Sequence, residues 1–186
     1  MKYLIVGLGN IGPEYEITRH NIGFISLDQL ADKYVVDFEL VRLAYHTQFK
    51  YKSRTIHLIK PTTYMNLSGK SVNFWLKNLK IPIENLLVVT DDVALPFGKL
   101  RMRAKGTSAG HNGLKNLEEH LGGIHYPRLR IGIGNNYPQG GQIDYVLSRF
   151  PPSEFKALPP MLEKVNQMIL SFCATGVDRT MNQHND

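Results

Sequence analysis

Apolar and polar positions recur along the chain in two periods, and the switches between them mark out strands and helices. Residues 3–6 form a short apolar run closed by Gly7, the pattern of a strand buried on both faces. Ile22, Ile25 and Leu30 then recur at helical spacing and predict an amphipathic helix ending near Tyr34. A polar loop carrying Asn10, Tyr15, Arg19, His20 and Asn21 lies between them. Residues 35–60 read as β-rich, with strands at 37–44, 47–51 and 55–59 and a turn at 52–54. A polar loop at 62–69 leads to a helix over 68–79, which places Val72, Trp75, Leu76 and Leu79 on one side. Residues 86–89 are continuously apolar, which predicts a central strand carrying Thr90, Asp91 and Asp92 at its carboxyl end. Residues 99–105 alternate, with Lys99, Arg101, Arg103 and Lys105 on one face. A glycine-rich loop at 106–113, a helix at 114–121 and a strand at 128–134 follow. The pattern then gives a short helical piece at 144–149, a break at Pro151-Pro152 and a last helix at 160–174, stopped by Gly176. Residues 180–186 are polar and expected to fray.

Strands alternate with helices, so the expected class is α/β: a mixed twisted sheet surrounded by α-helices. The 186 residues suit a single domain over 1–186. The one cysteine, Cys173, excludes an internal disulfide framework and fits a reducing compartment; on an apolar helix face it reads as a packed, inert thiol. The first apolar run is too short for a signal peptide or a membrane span. The formal charge of +6 favours a polyanionic partner, above all nucleic acid. The cationic face at 99–105 sharpens that reading. Such a strand repels itself unless acids oppose it or phosphates visit, and the local sequence supplies few acids.

Three kinds of site are tested by the motifs. Residues 7–12 fit G-x-G-x-x-G, but Pro13 and a polar loop follow where a dinucleotide site needs a helix to open on the pyrophosphate. Residues 106–110 fit G-x-S-x-G around Ser108, yet the histidine that would complete a triad in chain order, His184, lies in the tail. The seven histidines lack metal-ligand spacing and a thiolate cage is excluded, so no metal is expected. What remains is a base that activates water. His20 titrates near neutral pH, and Asp91, ending a central strand, is the acid chosen to orient it. Asn10, Asn66 and Asn112 fall in loops at predicted strand ends, where amides can hold a carbonyl or an oxyanion without adding charge.

Five blocks taken together resemble one family. GLGNIG-x-x-Y-x-x-TRHN-x-G, KP-x-TYMN-x-SG, DD-x-x-LP-x-G, G-x-x-x-GHNGLK and Y-x-RLRIGIG occur in the order found in bacterial-type peptidyl-tRNA hydrolases, and they span residues 2–152. The resemblance implies a monomeric, cytoplasmic, cofactor-free esterase that cleaves a peptide from the 3′ ribose of tRNA. The partner it implies is peptidyl-tRNA, with no membrane and no obligate protein partner. It places His20 as catalytic base, Asp91 as the acid orienting it, and Asn10 as the residue distinguishing a blocked peptide from a free amino group. It assigns Tyr15, Tyr64, Met65, Asn66 and Asn112 to the peptide and tRNA-end site. Arg103 and Arg130 become tRNA-phosphate contacts, joined by Lys105 from the strand pattern. Ile11 stands where the family usually has proline, a change expected to loosen the turn presenting Asn10. Arg103 stands where some relatives carry lysine. Two rivals remain: an RNA-binding protein of this fold without catalysis, and a serine esterase built on Ser108.

Overall fold

The computed structural model describes residues 1–185. Among them, seven strands form one mixed sheet: β1 (Lys2–Gly7), β2 (Glu39–Leu40), β3 (Ala44–Tyr51), β4 (Arg54–Pro61), β5 (Leu86–Asp92), β6 (Leu100–Arg103) and β7 (Arg128–Gly132). The helices are α1 (Ile22–Lys33), α2 (Ser68–Leu79), α3 (Asn112–Leu121), α4 (Gln142–Val146), α5 (Pro152–Thr175) and α6 (Val177–His184). The spatial order is β2-β3-β4-β1-β5-β7-β6. β4, β1, β5 and β7 run parallel, while β2, β3 and β6 pair antiparallel at the edges.

The period of two sorts the core. Tyr3, Ile5, Leu87 and Val89 pack with Leu27, Leu30, Leu162, Val165 and Ile169 of α1 and α5. Leu4, Val6, Leu86 and Val88 pack with Val72, Trp75, Leu76, Leu114 and Leu117 of α2 and α3. Helices therefore cover both faces, which is why β1 and β5 read as unbroken apolar runs. None of the helices described is long and apolar enough to cross a membrane.

Four expectations change. Residues 37–44 do not form one strand: β2 spans two residues, and Leu43 at φ 63° with a Val41 N–H to Ala44 carbonyl bond of 3.0 Å breaks the run. The short helix begins earlier than 144, as α4. The last helix begins at Pro152, and Pro159 and Pro160 lie inside it rather than starting it. Their missing N–H groups leave the Phe155 and Lys156 carbonyls on an exposed face, where water can replace the lost bonds, while Leu158, Met161, Leu162 and Val165 stay on one buried stripe across the prolines. Residues 180–185 are ordered, and only 186 lies outside the described residues. Thr180 is fully buried. The Asn185 amide accepts from the Met102 N–H at 2.8 Å and donates to its carbonyl at 2.9 Å. The tail thereby closes the free edge of β6, which would otherwise expose unpaired backbone groups.

Across the β3–β4 hairpin, His46 Nε2 lies 3.0 Å from His57 Nδ1, and the His46 ring stacks 4.7 Å from that of Trp75. His57 Nε2 is buried with no partner among the described residues. Burial, helped by His46, Lys2 and Lys50, lowers the His57 pKa to about 4. Below the ordinary value of 6.5 the unfolded chain binds a proton that the native ring refuses, so stability falls as pH drops from 6.5 toward 4. The chain is expected to be about 2 kcal/mol less stable at pH 5 than at pH 7 from this residue. Urea unfolding at the two pH values checks it: His57→Gln should remove that part of the difference, and an undiminished difference in the variant would contradict the assignment.

Candidate active site

The site is placed by two glycines. A Cβ at Gly23 would lie 2.5 Å from the Val89 carbonyl oxygen, and one at Gly7 would lie 2.4 Å from the Gly23 carbonyl oxygen. Only hydrogen at these positions lets the first turn of α1 cross the ends of β1 and β5 in contact. His20 lies three residues before Gly23, and Asp91 lies two residues after Val89. Gly7, the first glycine of the apparent dinucleotide fingerprint, therefore serves helix–strand packing rather than a pyrophosphate.

His20 Nδ1 is 2.8 Å from Asp91 Oδ2. The other carboxylate oxygen, Asp91 Oδ1, is 2.8 Å from His111 Nε2, which also lies 2.9 Å from Thr90 Oγ1. His111 Nδ1 accepts the Gly113 and Leu114 N–H groups at 3.1 and 3.3 Å and so caps α3. An accepting Nδ1 places that ring's proton on Nε2, facing Asp91. A fully buried carboxylate is thus held between two imidazole donors. Burial alone would raise its pKa, but the charge and hydrogen bonds of His20 and His111 prevail and hold it well below the usual carboxylate range. Burial would lower the His20 pKa; the Asp91 charge and hydrogen bond outweigh it, and the net direction is upward from 6.5.

His20, Asp91 and His111 also bring three potential metal-ligating atoms within 4.8 Å of one another. Their donor chemistry fits a hydrogen-bonded chain better than a cation cage. Both Asp91 oxygens already receive imidazole groups, and a cation at His111 Nε2 would have to displace the proton that the backbone contacts at Nδ1 fix there.

The loop carrying His20 is tied down on both sides. Asn10 N–H donates to Asn21 Oδ1 and Asn21 Nδ2 donates back to the Asn10 carbonyl, each at 2.8 Å. These paired bonds hold the turn that Ile11, in place of proline, was expected to loosen. Met65 N–H donates to Asn10 Oδ1 at 2.7 Å. It is delivered by Tyr64, whose φ of 62° is strained for a bulky residue. Arg19 is almost fully buried, with its guanidinium 4.2 Å from the Tyr145 ring centroid, bonded to Ser148 Oγ and the Arg149 carbonyl, and 3.5 Å from Glu154 Oε1. It pins residues 18–21 to α4 and the start of α5.

The residues singled out from the sequence divide in space. His20, Asp91, Asn112 and Arg130 line one cleft, which Ser108 and His111 share. Asn10 lines an adjoining hollow, and Met65 joins it through the backbone contact. Tyr15 is half-buried in a short turn, while Tyr64 and Asn66 are exposed beside Met65. Arg103 is half-buried and Lys105 exposed near the outer edge of the sheet, and neither lines the cleft. Cross-strand pairing sets Arg101 opposite Arg130 and Arg103 opposite Arg128. Arg130 remains accessible, with Nε 3.6 Å from Asp92 Oδ2. Arg128, on the same face, is fully buried under the Tyr126 ring and donates to the Ile124 carbonyl at 2.9 Å, so its charge braces a loop. The Ser108 hydroxyl makes no hydrogen bond to a histidine ring among the described residues, which leaves the serine-esterase reading without its base. His111 was missed from the sequence. Its only signal there was a histidine just before a predicted helix, and its contact with Asp91 is tertiary.

The model of the family described as peptidyl-tRNA hydrolase matches residues 4–186. A peptidyl-tRNA hydrolase from Cytophaga hutchinsonii is 54% identical, covering 100% of this chain and 98% of its own. One from Bacteroides fragilis is 52% identical over 100% and 99%. The crystal structure of peptidyl-tRNA hydrolase from Acinetobacter baumannii superposes with a TM-score of 0.92 at 34% identity, covering 98% of this chain and 94% of that one. With the fold, the sequence blocks and a family match over nearly its whole length in agreement, the chain belongs to the peptidyl-tRNA hydrolase family.

Proposed function

We infer that the chain hydrolyses the ester between a peptide and the 3′ ribose of tRNA, with His20 activating water. The observation that carries the mechanism is the 2.8 Å contact between His20 Nδ1 and the buried, ionised Asp91. It fixes the tautomer with the proton on Nδ1 and leaves Nε2 free to take a proton from water. Asp91 then stabilises the imidazolium as it forms. Asn112 shares the cleft and is suited to donate toward the developing oxyanion.

Asn10 supports the selectivity for blocked peptides. One lone pair of its Oδ1 takes the Met65 N–H, while both amide donors stay free. Donors suit the carbonyl of an N-acyl group. An ammonium, itself only a donor, would have to share Oδ1 with the Met65 N–H. In the same reading, Arg103, Arg130 and Lys105 take tRNA phosphates, and Tyr15, Tyr64, Met65 and Asn66 flank the peptide and tRNA end. Catalysis within the cytoplasm by a monomer belongs to this proposal.

Incubation with N-acetyl-aminoacyl-tRNA should release free tRNA, while aminoacyl-tRNA with a free amino group is spared. His20→Ala should lower kcat at least 100-fold, the usual contribution of a positioned base, with tRNA affinity retained. Near wild-type turnover by this variant would exclude His20 as the base. The pH profile supplies a second check. The base works unprotonated, so kcat/KM should rise with pH through a midpoint above 6.5, the direction in which Asp91 moves His20. In Asp91→Asn the carboxylate is gone and burial is left to act, so that midpoint should move down and the rate should fall. A third measurement concerns the arginines. Replacing Arg103 or Arg130 with Ala should weaken tRNA binding and flatten the plot of log K against log salt by about one unit each, because each change frees one phosphate to keep its counterion. An unchanged slope would remove them from the tRNA footprint.

A further inference from the structure

The cleft over His20 offers about 100 Å³, whereas the hollow beside Asn10 offers about 460 Å³. The two are neighbours: His20 lines the first and the next residue, Asn21, lines the second. The hollow lies on the opposite side of the catalytic pair from the arginines. Along the sheet, β6 and β7 carry the arginines, β1 leads into the loop of Asn10, β5 carries Asp91, and β3 and β4 contribute Tyr45 and Lys60 to the hollow. A substrate with phosphates on β6–β7 and its ester at His20 has this direction left for the rest of its peptide.

The hollow's lining is chemically distinct from the cleft. Phe24 and Tyr45 provide aromatic surface, and the Lys60 ammonium lies 5.7 and 5.6 Å from their ring centroids. That ammonium is already paired with Asp28 Oδ1 at 2.5 Å, so it is not available to a phosphate. Glu16 lines the mouth and makes no ion pair among the described residues. Aromatic surface with a net negative balance repels a nucleic-acid backbone and suits an apolar peptide side chain.

We propose that this hollow is the subsite for the peptide residue preceding the esterified one, taking an apolar or aromatic side chain against Tyr45 and Phe24 and rejecting an acidic one through Glu16. The proposal rests on the peptidyl-tRNA reading above and extends it to a side-chain preference. Asn10 sits at the junction, where its free amide donors meet the peptide bond between the two residues.

The test uses three N-acetyl-dipeptidyl-tRNAs that share the esterified residue and carry Phe, Gly or Asp before it, with N-acetyl-aminoacyl-tRNA as reference. For the wild-type chain, KM should be about tenfold lower with Phe than with Gly, and higher again with Asp. Tyr45→Ala should bring the Phe and Gly values within about twofold, Tyr45→Phe should keep them apart, and Glu16→Gln should narrow the gap between Gly and Asp. The same Phe-to-Gly ratio in the wild type and Tyr45→Ala, with all substrates still cleaved, would overturn the subsite and leave the hydrolase reading standing. Failure to cleave even the N-acetyl-aminoacyl ester would overturn both.

Discussion

A carboxylate without access to water is the constraint around which this molecule is arranged. Asp91 ends a strand covered on both faces, and an isolated charge there would cost several kcal/mol or take up a proton. Neither happens, because each oxygen meets an imidazole donor. The two donors have different origins. His111 is locked by the backbone at the start of α3, so its proton points one way. His20 is locked only through its loop, and its second nitrogen remains open to the cleft. One histidine thus holds the acid in place while the other is held by it. The asymmetry leaves the pair one imidazole nitrogen able to accept a proton.

Holding His20 to a hydrogen-bond distance over 71 residues of chain requires the layers to meet without slack. The contact between Gly7, Gly23 and the Val89 carbonyl supplies the closeness, the paired amides of Asn10 and Asn21 supply the turn, and buried Arg19 supplies the outer clamp. Local rules are broken nearby for a tertiary purpose: a glycine closing an apolar strand, a cation in the interior, a tyrosine at positive φ before Met65. Strain and buried polarity of this kind collect where geometry must be exact for chemistry rather than for packing.

Much of this was legible in the chain. Unbroken apolar runs identified β1 and β5, and the switch to helical spacing identified α1 and α2, because burial on both faces leaves those signatures in local order. His20 and Asp91 could be chosen as a pair since each followed a recognisable strand or loop, and the five sequence blocks pointed to the same residues. What was illegible depends on contacts between distant segments. Pro160 suggested a helix start, but the core's hold on Leu158 and Met161 overrides that preference. The polar tail looked frayed because nothing local announces that Asn185 pairs with Met102. Arg128 and Arg130 share a face, and only the loop folding over Arg128 separates a brace from an accessible charge. His111 stood only as a residue before a predicted helix, and its partner lay 20 residues upstream.

The division of charge along the sheet follows from the same layout. Cations stand opposite one another on β6 and β7, a juxtaposition that costs stability unless something anionic occupies it. The folded chain relieves part of the cost itself, with backbone carbonyls around Arg128 and with Asp92 beside Arg130. The His20–Asp91 pair lies inward of this edge, and in the proposed mechanism Asp91 answers the charge that His20 acquires. In the proposed mechanism, attraction of the substrate and tuning of the base fall to different strands. Salt that screens the first at the surface acts far less on the second in the interior.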